Sequence, residues 1–132
     1  MKVQGFAEAL GELYGVRRTV PYAWGTQDCV MWAADAALAV SGDDPLGDLR
    51  GAWSSEAEAM TVLEAQGGLI AAMDARYPRK DKNFAQRGDI ALIKDAQGQP
   101  SLGVCVGQFA AAPGPEEMLL TPMTKARIVW EV

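Results

Sequence analysis

The apolar pattern of this 132-residue chain changes period once, near Phe84, and does not change back. Before Phe84, apolar residues recur at three- and four-residue spacing, the signature of helices with one buried stripe. After it, short runs alternate or bunch between glycines and prolines, the signature of strands. Helices first and strands second predict an α+β domain, with the helices packed on an antiparallel sheet. Hydrophobic residues make up 49% and charged residues 22%, enough for one ordinary core. No internal repeat, linker or low-complexity segment divides the chain, so residues 1–132 are expected to form one domain.

The predicted elements follow in order. Val3 to Tyr14 reads as a helix with Phe6, Leu10, Leu13 and Tyr14 on one stripe and Gly15 as its stop. Arg17 to Pro21 is a connection. A second helix starts at Asp28-Cys29, capped by Gln27 or Asp28, and ends at Ser41-Gly42. Its apolar positions, Val30, Ala33, Ala34, Ala37 and Leu38, with small residues on that face, predict the central helix against the sheet. Gly42 to Pro45 is a turn, and Leu46 to Trp53 is irregular. Ser54-Ser55-Glu56-Ala57-Glu58 resembles a capping sequence for a helix through Met60, Val62 and Leu63, broken at Gly67-Gly68. Leu69 to Tyr77 is a short helix stopped by Pro78, and Arg79 to Asn83 is a charged, exposed loop. Strands are predicted at Asp89–Ile93, Ser101–Phe109, Met118–Leu120 and Ala126–Val132, with a hairpin-like loop at Asp95–Pro100 and a turn region at Ala110–Glu117.

The chain contains no histidine. That excludes a Ser-His-Asp triad, a Cys-His pair or a histidine metal site built from these residues alone. Two cysteines supply neither a disulfide framework nor a zinc site, and no cofactor or metal is expected. The net charge of −5 argues against nucleic acid as a partner. No apolar run reaches the roughly 20 residues of a membrane span, and Met1 to Gly5 does not open a signal peptide. Cys29 is the residue with chemistry. In the first turn of a helix its sulfur faces free backbone N–H groups, which lowers a thiol pKa and favours the nucleophilic thiolate. The same position also suits a small buried hydrophobe.

The order of parts resembles the NlpC-type branch of the papain-like cysteine peptidases. In that branch a helix opening with Asp-Cys carries the nucleophile. A strand opening with Gly-Asp precedes a strand carrying His-x-Gly-[Ile/Val]. Cys29 matches the nucleophile and Gly88-Asp89 the strand opening. Ser101-Leu102-Gly103-Val104 matches the histidine strand, with Ser101 where the histidine stands. More closely, Trp24-Gly25-x-x-Asp28-Cys29, Gly42-x-Asp44-Pro45, Arg50-Gly51, Gly67-Gly68, Gly88-Asp89, Leu102-Gly103-Val104 and Trp130 resemble small phage and prophage proteins with NlpC-like domains.

The resemblance implies a papain-like α+β fold with Cys29 at a vestigial nucleophile position. Ser101 is no base, and the nearby acids are Asp28 and Asp89; an ordinary carboxylate is a poor base for a thiol. The implied role is structural: a tail-tip or baseplate component of a phage-like particle, assembled in the host cytoplasm and touching hub and distal-tail-ring proteins. The alternative is an active cell-wall peptidase or amidase using Cys29 as nucleophile with an unusual or borrowed base. The contact segments expected for the structural role are Leu46–Trp53, Arg79–Asn83 and Ala110–Glu117. Ser101 over Cys29 would leave Cys105 about 13 Å farther along the strand, so both thiols are expected to be free.

Overall fold

The computed structural model describes all 132 residues. Four helices come first: α1 (Phe6–Arg17), α2 (Cys29–Ser41), α3 (Glu56–Ala65) and α4 (Leu69–Asp74). Six strands follow: β1 (Arg79–Lys80), β2 (Ile90–Lys94), β3 (Pro100–Cys105), β4 (Phe109–Ala112), β5 (Leu119–Pro122) and β6 (Ile128–Trp130). They form one antiparallel sheet in the order β1-β6-β2-β3-β4-β5.

The alanine-rich α2 lies at the centre, as its sequence predicts. Val30, Met31, Trp32, Ala33, Ala34, Ala36, Ala37 and Val40 are all buried. Small side chains let the helix approach β3 closely, and Leu102 and Val104 join its cluster from the sheet. Trp32 is fully enclosed, and its indole N–H donates to Ala111 O at 2.8 Å. The other face of the sheet holds a second, smaller layer: Ala91, Ile93, Ala110, Ala112, Ala126 and Val129. Gly103 belongs to that face, since a Cβ there would lie 3.0 Å from Ala110 Cβ and 3.1 Å from Ile93 Cδ1.

Several expected boundaries move, each for a local reason. The first helix starts at Phe6 because Gly5 is in the left-handed region at φ 79. Gly15 does not end it. The helix runs on to Arg17, whose guanidinium donates to Gln27 Oε1, Asp35 Oδ2 and Thr26 O. Those contacts outweigh the roughly 1 kcal/mol that a helical glycine costs. The fourth helix stops at Asp74, short of Tyr77.

Arg79–Asn83 is not a free loop. Arg79 and Lys80 pair with Trp130 and Val129 at the sheet edge, because Lys80 reaches the buried Asp89 at 2.7 Å. Ser101–Phe109 is two strands, not one. Gly107 at φ 133 turns the chain, and Val106 N–H closes the hairpin on Phe109 O. Ala110–Ala112 is therefore buried strand β4 and not a turn.

Asp89 ties the chain together. Its side chain is fully buried. Lys2 Nζ (2.5 Å), Lys80 Nζ (2.7 Å) and the N–H groups of Gln86 (2.8 Å) and Val132 (3.1 Å) all donate to it. Burial alone would raise its pKa, but the two lysines and two backbone donors hold the carboxyl below its ordinary range.

Candidate active site

The site is assembled where α2 begins. Asp28 is its N-cap: Oδ1 accepts from Met31 N–H at 2.8 Å. Oδ2 accepts from Gly25 N–H at 2.8 Å and from the Trp53 indole N–H at 2.7 Å. All three donors are neutral, and Asp28 is 1% exposed. One carboxylate thus fixes the helix start, the Trp24-Gly25 turn and the segment ahead of α3. The turn itself needs glycine. Gly25 is at φ 88, and a Cβ would stand 2.6 Å from Trp53 O. Gly25→Ala is expected to lose about 1–3 kcal/mol of stability, measured by urea denaturation, whereas Gly42→Ala, with nothing near its Cβ, should lose less.

Cys29 follows the cap in the first turn and is partly buried. The hydroxyl of Ser101 and the backbone of Leu102, at the start of β3, lie beside its sulfur and favour its charged form. The two residues singled out from sequence, Cys29 and Ser101, are brought together. Tyr22 completes the group: its phenol lies against the Cys29 backbone, close to the thiol, Asp28 and Glu56. Trp24 packs edge-on to Tyr22 with ring centroids 5.0 Å apart. The Tyr22 N–H donates to Gly114 O at 2.9 Å, which anchors the turn to the far end of the sheet. Sequence reading assigned Tyr22 no role. Its position in the Tyr-x-Trp-Gly turn was visible, but nothing local shows that the turn folds back over the helix start.

The electrostatics reverse one expectation. Burial pushes the Cys29 thiol up, and the Asp28 charge adds to that. Hydrogen bonds from Leu102, Ser101 and its own backbone act in the opposite direction and do not prevail. Tyr22 is also pushed up, first by burial and then by Cys29 and Asp28. At neutral pH both groups keep their protons. Asp28 and Asp89 are each committed to structural hydrogen bonds, so neither is free to take a proton from the thiol.

Alkylation of Cys29 should therefore be slow at pH 7 and rise with pH along a curve displaced above that of a free thiol. Ser101→His should speed it at pH 7 by placing an imidazole at the thiol. A rate in the unsubstituted protein already matching a low-pKa thiol would contradict this electrostatic reading.

The other polar centre lies apart. Arg17 and Arg50 both bind Asp35, at 2.6 and 2.5 Å, and Arg50 also holds Asp44 at 2.9 Å. Arg17, Asp35 and Arg50 line a cavity of about 360 Å³ that includes neither Cys29 nor Ser101. No cluster of ligating side chains suited to a metal is present. Cys105 is buried, free, and donates to Gly107 O at 3.2 Å. No helix is long and apolar enough to cross a membrane.

A family profile described as a domain of unknown function, DUF6950, matches residues 1–132. Among solved structures, the NlpC/p60 domain of the peptidoglycan hydrolase SagA is similar with a TM-score of 0.59. The likeness covers 96% of this chain and 98% of that one at 18% identity, and so establishes a shared fold. The α+β, papain-like architecture expected from the sequence is the one observed. No curated protein matches the chain.

Proposed function

Because the chain belongs to the DUF6950 family and has the NlpC/p60 fold, we propose that it is a non-hydrolytic structural component. In this reading it serves the tail tip or baseplate of a phage-like particle. One observation carries the first half: the thiol at the nucleophile position has no base. By the resemblance of Ser101-Leu102-Gly103-Val104 to the histidine strand, Ser101 stands where that strand carries its histidine; the chain has no histidine, and both nearby carboxylates are engaged. General acid–base assistance is worth about a hundred- to ten-thousand-fold, and here it is missing for both proton transfers. Turn, cap and helix remain intact around the thiol, which fits a fold retained for its surface.

The second half rests on the resemblance of the Trp24-Gly25-x-x-Asp28-Cys29 stretch and the ordered glycines to small phage and prophage proteins. The partners proposed are hub and distal-tail-ring proteins, with assembly in the host cytoplasm. Of the three segments expected to meet them, Leu46–Trp53 keeps Asp48, Arg50, Gly51 and Ala52 exposed, and Pro115–Glu117 remains exposed beyond β4. Lys80 and Ala110–Ala112 are taken up by the sheet.

One observation favours a second reading, an active peptidoglycan peptidase or amidase. Cys29 is only partly buried and sits beside Tyr22 and Ser101, so a histidine lent by a neighbouring subunit has a thiol to meet. Deletion of the gene followed by electron microscopy of the particles separates the two. Malformed or missing tail tips support the structural role. Normal, infectious particles lacking only this protein would sink it.

A further inference from the structure

The two edges of the sheet differ. The β1 edge is two residues long and carries the charged Arg79, paired with Asp74. The β5 edge is apolar: Leu119 and Leu120 are 44% and 48% exposed, and Phe109 on the neighbouring strand is 41% exposed. An exposed apolar edge strand is a template for another strand.

Backbone hydrogen bonds define how much of that edge is open. Met123 N–H donates to Gln108 O. With the register Leu119↔Ala112 and Thr121↔Ala110, antiparallel alternation turns Leu119 and Thr121 toward β4 and Leu120 outward. At one end of the edge, Met118 N–H is taken by Arg18 O. At the other, Pro122 has no N–H. The open window is centred on Leu120, whose N–H is the one donor left on this edge, beside its own outward C=O.

We infer that β5 pairs antiparallel with β5 of a second copy of this chain, about a two-fold axis at Leu120. A window with a single donor is satisfied by its own copy: each Leu120 N–H meets the other Leu120 C=O, and the two leucine side chains lie on the same face. Charge fits the same occupant. The strand is preceded by Glu116 and Glu117 and followed by Lys125, all exposed and outside every ion pair of the chain. Antiparallel pairing brings the acidic end of one copy to the basic end of the other. Parallel pairing with an unrelated strand has no such match built in. The contact is small beside the roughly 1,200–2,000 Å² of a stable interface, so pairing is a concentration-dependent equilibrium.

Sedimentation equilibrium of the full chain tests this. The expected result is a weight-average mass that rises with concentration from 14.1 kDa toward twice that value. Leu120→Lys should hold the protein at monomer mass, and so should Glu117→Lys alone. Glu117→Lys combined with Lys125→Glu should restore association, because the charges again oppose. These side chains are exposed, so the variants should keep the circular-dichroism spectrum of the parent. A monomer at every concentration would overturn the inference. So would a dimer that Leu120→Lys leaves intact, or a free edge that pairs only with a strand from another protein.

Discussion

Asp89→Ala is expected to lower folding stability by about 3–5 kcal/mol, because it removes one partner of a buried ionic group and leaves the others behind. Lys2 and Lys80 have side chains only 8% and 13% exposed, and both point at this carboxylate. The N–H groups of Gln86 and Val132 would lose their acceptor as well. The pH dependence has two signs. Asp89 is held below its ordinary value, so its contribution is present above about pH 3.9 and is lost as pH falls through the lower folded value. For Lys80, burial pulls the pKa down, but Asp89 and then Glu131 hold it above the ordinary value. Its contribution is present below about pH 10.4 and is lost as pH rises through the folded value. Urea denaturation at about pH 3 and pH 7 reads the Asp89 statement, and denaturation at pH 7 and above about pH 10.4 reads the Lys80 statement. Equal stability of Asp89→Ala and the unsubstituted protein at pH 7 would mean that the two chain ends and β1 are held by something else.

The second large effect is expected at Asp28. Removing its side chain uncaps α2, which typically costs about 1 kcal/mol. It also strands the buried Trp53 indole N–H, and an unpaired buried donor costs about 1–3 kcal/mol, whereas the half-buried Gly25 N–H can turn to water. Asp28→Ala should therefore lose about 2–4 kcal/mol in total. Asp28→Asn should lose less, because its remaining carbonyl oxygen can still cap Met31. Trp53 fluorescence reports the local change, and urea denaturation reports the global one. A loss confined to the cap alone would show that Trp53 finds another acceptor.

What the sequence made legible, and what it did not, follows from the range of each interaction. The start of α2 was legible because a cap and a first turn are local, and Asp28-Cys29 carries both. The strand pair β2–β3 was legible from its period. The Arg79–Lys80 strand was not, because it exists only through a contact with Asp89 and pairing with β6. The turn at Gly107 was hidden by apolar alternation that continues through it. The direction of the Cys29 pKa was misjudged on magnitude. A helix terminus contributes about 0.3–1 kcal/mol, under one pKa unit. Burial can shift a pKa by as much as 3–5 units, and burial at Cys29 depends on strand β3, more than 70 residues away in sequence.

The candidate site was half legible for the same reason. Cys29 and Ser101 were placed together through a resemblance in order and spacing. Tyr22 was overlooked because its approach to the thiol depends on the Gly25 turn packing against Trp53.

The proposed structural role requires that the Cys29 thiol at the start of α2 has no base. The most direct measurement is turnover of peptidoglycan and stem peptides by the purified protein beside Cys29→Ala, at neutral pH and at high enzyme concentration. Equal, background rates are expected for the two proteins. Hydrolysis by the unsubstituted protein that Cys29→Ala abolishes would contradict the proposed role.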